Sequence, residues 1–439
     1  DYISIIYKLL MAQTLKFGNK VWAAKEDSVL AYNDINNNYK PLPFSFARAS
    51  IGTRVNKDGL IETMGQDIAR IDYTDSADGV LLLEPASTNL FPDSEDFNAS
   101  SWQGLTGGTL TANDTNSPDG TQNATKIEGD GTSTSIRLFD FQNFSSAGDY
   151  TFSFFAKSGN NNFVQLSLLG YDGGGNVRFD LENGIVSGTG ASIINYGNGW
   201  YRCIFKSTIG SSDLNGSANL YVCKSIEGAV FDSNADANGK YIYIWGAQIE
   251  GSYPTSYIPT SGSTVTRATE TCNNSGNSEV FNDSEGVLFV NTATLQEGVT
   301  EKIISLSDGT TSNNIYISFS GAVNTIFGLV VSGGSTQASL STTVSQIQPN
   351  KLLIKYKSND ISFWLNGFKV GFDTSANTPS GLKNLSFSYP TNAINFYGKT
   401  KELGYYDTAL TDLELETLTS YRNWVSMVNE LNLNIIYNG

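Results

Sequence analysis

The chain has no histidine among its 439 residues. That removes the imidazole general base near pH 7, His-dependent catalytic triads and His-ligated zinc. Cysteine is scarce: Cys203, Cys223 and Cys272 are too few for a disulfide framework. Cys203 and Cys223 could pair across neighbouring strands, but two small buried side chains are the favoured reading. Charge is sparse, at 16% of residues, and unbalanced: 27 Lys and Arg against 43 Asp and Glu leave a net charge of −16. Phosphate neutralisation needs clustered cations, so this balance argues against a nucleic-acid surface. No apolar run approaches the roughly 18–20 residues of a membrane span. Carboxylate chemistry survives these exclusions, and glycoside hydrolysis stays open.

What is present is ring, amide and turn. Aromatic residues make up 12%, and 43 glycines accompany many Ser, Thr and Asn. This composition suits β-sheet with polar faces and is too aromatic for a disordered chain. The length suits two or three domains.

Residues 1–45 read as an irregular segment that docks onto something larger or hangs loose. Ile3 to Met11 is apolar but broken by Lys8 and lacks a basic leader, so it is not read as a signal peptide. With Asp1 first and the first Met at position 11, processing or a mis-assigned start is expected. Residues 46–95 read as a neck of small hairpins, with turns at Asp58-Gly59 and Asp78-Gly79.

Over 96–265 short runs recur between turns, among them Tyr150–Ala156, Phe163–Leu168, Trp200–Phe205, Ala218–Cys223 and Tyr241–Trp245. Several alternate apolar and polar residues with period two, as strands with one buried face do. The expectation is a jelly roll. A second sandwich is expected over 280–430, where Asn366-Gly367 between two alternating runs is a strong hairpin signal. Thr411 and Glu414 fit a capping box, and apolar residues at helical spacing follow, so one amphipathic helix is predicted over about 412–430. Capping of the last sandwich is favoured for it over oligomerisation. The predicted class is therefore all-β: two tandem antiparallel sandwiches after an extended N-terminal anchor and hairpin neck, with one C-terminal helix.

Several segments, in order, resemble a family of bacteriophage virion proteins, tail- or head-fibre types bearing carbohydrate-binding-module-like jelly rolls. They are Phe46–Ser50, Thr53–Asn56, Leu81–Leu90, Ser94–Phe97, Trp200–Arg202, Trp245–Glu250 and Pro254–Pro259. Phe363–Gly367 and Leu403–Glu414 give the later region a likeness to concanavalin or laminin-G sandwiches. The resemblance implies a virion appendage, fibre or spike on the particle surface, often trimeric, whose lectin-like modules touch host surface polysaccharide. Residues 1–45 would then contact other virion proteins.

Sugar recognition in sandwiches uses an exposed ring with amides and carboxylates reading hydroxyls. Trp102, Tyr171 and Asp172, all in loops, are the candidates, whereas Trp200, Trp245 and Trp364 sit in strand patterns and read as core. Asp232, Asn234 and Asp236 place oxygens at every second position, as a calcium loop does, although the glycine falls late and Tyr243 replaces the closing acid. A solvated loop is the favoured reading, and no cofactor is required beyond that candidate structural calcium. No hydrolase signature is recognisable, so the expectation is a non-enzymatic attachment protein. A purely structural decoration protein and a glycan depolymerase are the rival readings.

Overall fold

The computed structural model describes residues 14–18, 22–33 and 40–431. The expected all-β class is observed, with antiparallel sheets throughout and helices near the C-terminus. Two compact units are nested in the sequence. Unit 1 comprises residues 1–49, 65–85 and 269–439; unit 2 comprises 50–64 and 86–268.

Unit 1 packs a twelve-stranded sheet against a five-stranded one. Leu288, Val290, Leu352, Ile354 and Phe363 of the first meet Ile304, Leu306, Ile315, Ile317 and Val330 of the second in one core. Strand Glu285–Thr294 is buried on both faces, which explains its unbroken Val-Leu-Phe-Val run. Its outer face carries Val287 and Phe289, packed with Leu353, Trp364 and Tyr406 against Leu415. Leu415 belongs to helix Asp412–Thr419, which covers this face as favoured from its pattern.

Thr411 and Glu414 form the predicted capping box. The helix nevertheless stops at Thr419, and a second one, Trp424–Glu430, begins behind its own cap at Asn423. The Asn423 side chain accepts from Ser426 N, and the Ser426 hydroxyl sits 3.0 Å from the Asn423 amide. A competing cap inside an apolar repeat thus splits the single helix expected over 412–430. At Asn366-Gly367 both residues take positive φ, 48° and 93°, as a tight hairpin turn demands.

The segment expected to stand apart as an anchor contributes strands to unit 1. Leu15–Gly18 pairs with Gly398–Tyr406, and Leu15 and Phe17 enter the core. Ser28–Asn33 and Lys40–Ala47 extend the same sheet, because alternating Leu42, Phe44 and Phe46 supply a buried face. The apolar stretch Ile3–Met11 and the remainder of the anchor, residues 1–13, 19–21 and 34–39, lie outside the described residues. The expected neck is likewise divided: Gly52–Val55 and Ile61–Met64 form a hairpin of unit 2, and Arg70–Asp72 and Val80–Leu83 are strands of unit 1.

The chain passes between units at four points, after residues 49, 64, 85 and 268. On the unit 1 side a buried ion cluster joins all four. Glu270 accepts from Arg48 Nη1 at 2.8 Å and from Arg70 Nε at 2.8 Å; Arg70 Nη2 also reaches Glu84 at 2.8 Å. Arg48 Nη2 donates to Gly65 O, and Glu84 N to Glu270 Oε2. Burial opposes the Arg70 charge, but Glu270 and Glu84 outweigh it and push its pKa up.

Unit 2 consists of two six-stranded sheets. One, containing Gly148–Ser158 and Tyr241–Gly251, is covered on its outer side by the 52–64 hairpin, with Val55 and Ile61 packed on Phe155, Trp200, Trp245 and Tyr257. The segments that carry the virion-protein resemblance are internal fasteners here. Gln248 Oε1 accepts from Ile258 N at 2.7 Å, Glu250 Oε1 from Thr255 N at 2.9 Å, and Arg202 Nη1 donates to Thr255 O at 2.6 Å. Tyr257 donates to Glu95 at 2.9 Å.

Removing one member of the unit 1 cluster leaves buried charge uncompensated. Glu270→Ala should lower stability by about 3–5 kcal/mol in denaturant unfolding. A loss under about 1 kcal/mol would show that the arginines are solvated and not held by the cluster.

Candidate functional site

The second sheet of unit 2 runs in the order Gly104–Thr106, Ile136–Asn143, Asn215–Cys223, Phe163–Leu169, Gly175–Asp180, Ile185–Ser187. Its inner face contributes Ile136, Leu138, Val164, Leu166, Leu168, Val177, Phe179, Leu220 and Val222 to the sandwich core. Period-two alternation therefore directs the intervening residues outward. The register places them in cross-strand rows. Arg137, Tyr221, Gln165 and Arg178 form one row; Phe139, Asn219, Ser167 and Asn176 form the next; Phe141, Ser217 and Leu169 form a third.

Height varies across this face. Asn219 and Ser167 are fully buried and Gln165 is 7% exposed, while Arg137, Phe139, Tyr221 and Arg178 are half-buried and Phe141 is 62% exposed. The short polar side chains of this face are thus covered, and the longer ones make its surface. Gly104 sits opposite Phe139, and a Cβ there would meet the ring at 2.8 Å, so glycine lets the ring lie down on the sheet. The Arg137 guanidinium stacks over that ring at 4.3 Å.

Hydrogen bonding among the covered groups is incomplete. The Gln165 amide nitrogen donates to Ser167 Oγ at 2.9 Å, and that of Asn219 to Ser217 O and Oγ, both at 2.9 Å. Gln165 Oε1, Asn219 Oδ1 and Arg178 Nε are buried with no partner among the described residues. Buried polar groups are normally paired, so three orphans in two adjacent rows set the face apart, although Gln165 and Arg178 are themselves cross-strand neighbours. What they want is defined: two acceptors seek donors, and one donor seeks an acceptor.

The residues singled out from sequence lie elsewhere. Trp102 is buried in the core, stacked 4.9 Å from Phe91, with its Nε1 donating to Asp93 O at 3.0 Å. The loop folds inward because Trp102 completes a cluster with Phe97 and Phe154, so it offers no exposed platform. Tyr171 is buried too; its hydroxyl donates to Gln142 O at 2.7 Å and its ring stacks on Phe144. Gly216 makes room for it, since a Cβ there would meet the Tyr171 ring at 2.8 Å. Asp172 is exposed, but its carboxylate accepts from Ser212 Oγ at 2.6 Å and fastens a loop. Trp200, Trp245 and Trp364 are core residues, as read. Cys203 and Cys223 are free and buried.

The alternating oxygens of Asp232, Asn234 and Asp236 do not converge. Residues 234–237 form a helical turn capped by Ser233, Asn234 donates to Thr132 O, and Asp232 pairs with Lys224. A helical turn separates side chains that an extended loop would have aligned. Among the described residues no group of three or more His, Cys, Asp or Glu is placed to hold a metal ion, and no helix is long and apolar enough to cross a membrane.

On the covered sheet's side, a cavity of about 660 Å³ is lined by Leu60, Asp114, Asn116, Lys157, Tyr196 and Trp200, among others. Its tryptophan is committed, with Nε1 donating to Asn116 O at 3.0 Å. The outward rows of the other sheet are the stronger candidate because they bring rings and guanidinium groups together at the surface. Alternation was readable in strands such as Phe163–Leu168, but cross-strand register, which collects Arg137, Gln165, Arg178 and Asn219, was not.

Two predictions follow from these placements. Trp102→Ala should cost about 3–5 kcal/mol of stability, as truncation of a buried aromatic does; an unchanged melting temperature would return it to the surface. Asp140, on the inner side of strand Ile136–Asn143, is held up at about 6, above the ordinary 3.8, by burial, which the Gln142 hydrogen bond only partly offsets. The folded state then binds more proton between those two values, so stability falls as pH rises through that window. Asp140→Asn should raise the melting temperature above pH 6 and leave it unchanged below pH 4; equal effects at both would exclude titration of this group.

No protein-family model matches the chain, and no curated protein matches it. Solved structures with some likeness include the CBM40 module of the Ruminococcus gnavus IT-sialidase bound to α2,3-sialyllactose, at 16% identity over 34% of this chain and 94% of that one, TM-score 0.29. Mouse laminin α1 domains LG4-5 match at 10% identity over 64% and 90%, TM-score 0.23. Trypanosoma rangeli sialidase in complex with the inhibitor DANA matches at 10% identity over 92% and 84%, TM-score 0.27. At these TM-scores the likenesses assign neither family nor ligand to this chain.

Proposed function

We propose that this chain is a non-catalytic glycan-binding protein whose unit 2 engages surface polysaccharide across the outward rows of the sheet spanning Gly104–Thr106 to Ile185–Ser187. The supporting observation is the outward surface itself, where the 62% exposed ring of Phe141 and the half-buried Phe139 and Tyr221 stand on one face with the half-buried Arg137 and Arg178. The apolar face of a pyranose suits an exposed ring, and guanidinium groups donate to sugar oxygens. The face offers amides, rings and guanidinium groups in place of a carboxyl pair, which favours holding a glycan over cleaving it. Asp180, at the edge of the face, spends its carboxylate on Glu182 N and on the Asn183 backbone and side chain.

Display on a bacteriophage particle, with host polysaccharide as ligand, rests on the ordered segments that resemble virion appendage proteins. Shallow sites of this kind act together when several copies are tethered, because tethering raises the effective concentration of the next contact. One observation favours a second reading, in which the sandwiches hold subunits together, a trimer being the favoured assembly. Phe368 and Phe372 are 72% and 68% exposed on Phe368–Asp373, the terminal strand of the twelve-stranded sheet.

Phe141→Ala should weaken binding to the recognised polysaccharide by roughly tenfold while leaving the melting temperature unchanged, because the ring is largely in solvent. Unaltered binding, measured with a multivalent form of the full chain, would remove this face from the interaction.

A further inference from the structure

The outward face carries two arginines against one carboxylate, Asp180 at its edge, in a chain whose net charge is −16. Arg137 and Arg178 occupy the same cross-strand row, separated by strands Asn215–Cys223 and Phe163–Leu169. Three strand spacings put their Cα atoms roughly 14 Å apart. No carboxylate among the described residues forms an ion pair with either one. Arg48, Arg54, Arg70 and Arg202, by contrast, each have an acidic partner within 4 Å.

We infer that the ligand of this face is an acidic polysaccharide, whose sugar carboxylates are held by Arg137 and Arg178 while its sugar rings pack on Phe139, Phe141 and Tyr221. This deepens the glycan reading above and rests on it. Arg178 is half-buried, with its Nε–H covered, so its terminal Nη groups are what a ligand can meet. The two Nη groups of a guanidinium make a parallel pair of donors matched to a carboxylate. The Arg137 guanidinium lies over the Phe139 ring at 4.3 Å, which fixes its plane and leaves its edge for a ligand.

Two neighbouring features narrow the class. The guanidinium groups need an anion, whereas the rings of Phe139, Phe141 and Tyr221 beside them suit the apolar face of a pyranose. A lipid headgroup surface supplies the anion without a pyranose face. A sugar acid supplies both within one residue of the same polymer. Spacing between the two arginines suits a polymer that carries its charge repeatedly, so that two carboxylates are engaged at once.

The test uses the full chain, biotinylated and tetramerised on streptavidin, against an array of acidic and neutral bacterial polysaccharides. Each acidic polymer is paired with its carboxyl-reduced form, and DNA and phosphatidylserine vesicles serve as other polyanions. Binding is expected to be confined to carboxylated polymers. It should fall about tenfold or more on carboxyl reduction or in R137Q/R178Q, the loss expected when charge-assisted pairs are removed. R137K/R178K keeps the charge but not the fork, and should recover only part of the binding. The melting temperature should fall only slightly in both variants, since neither arginine has an ionic partner to lose and only the stacking of Arg137 on Phe139 is removed.

Equal binding to native and reduced polymers, or undiminished binding by R137Q/R178Q, would overturn the acidic class and leave glycan binding standing. Equal binding to DNA or vesicles would replace the sugar acid by general polyanion attraction. Binding to none of the polysaccharides, acidic or neutral, would defeat this inference and the glycan reading together.

Discussion

The buried cluster of Arg48, Arg70, Glu84 and Glu270 is the constraint on which the chain's nested organisation depends. Each passage between units leaves a chain segment whose backbone groups and side chains must be satisfied locally. Arg48, Gly65, Glu84 and Glu270 stand beside the four passages, and hydrogen bonds link them into one network on the unit 1 side. Charges taken out of water are tolerable only when fully paired, so the cluster admits essentially one arrangement of these segments. On the unit 2 side, the pairing of Ser87–Asn89 with Val265–Arg267 and the Ala268 N to Ser50 Oγ bond do the corresponding job with neutral groups.

This explains why the segments most diagnostic in the sequence say least about a ligand. Arg202, Gln248, Glu250 and Thr255 are polar, yet their groups face one another inside unit 2. Trp200, Trp245 and Tyr257 pack beneath the 52–64 hairpin. A motif of this kind identifies a way of closing a sandwich. The proposed glycan surface lies on the opposite sheet, whose outward row carries Arg137 and Arg178 without an acidic partner among the described residues.

Period-two alternation, turn chemistry and one capping box made the all-β class readable, and the tryptophans in strand patterns were rightly read as core. The candidate ring residues were harder. Trp102 and Tyr171 occupy loop-like text, and loops suggest exposure, but aromatic clusters of Phe91, Phe97 and Phe154, and of Phe144 and Tyr150, draw both inward. Phe139 and Phe141 were passed over because a polar-alternating strand presents its outward rings as easily to water as to a neighbouring layer. The break in the C-terminal helix had a local signal, Asn423 with Ser426, overshadowed by the apolar spacing around it.

The sequence alone determined the strand periodicity, the tight turns, the helix start at Thr411 and the scarcity of charge, because these depend on neighbours a few positions away. Tertiary structure decided which strands lie side by side, and hence that Arg137, Gln165, Arg178 and Asn219 share one surface. It also decided that residues 15–18 close a sheet with residues 398–406, nearly four hundred positions on. Register between distant strands is set by the joint fit of buried faces and ion pairs, which no single stretch of sequence encodes.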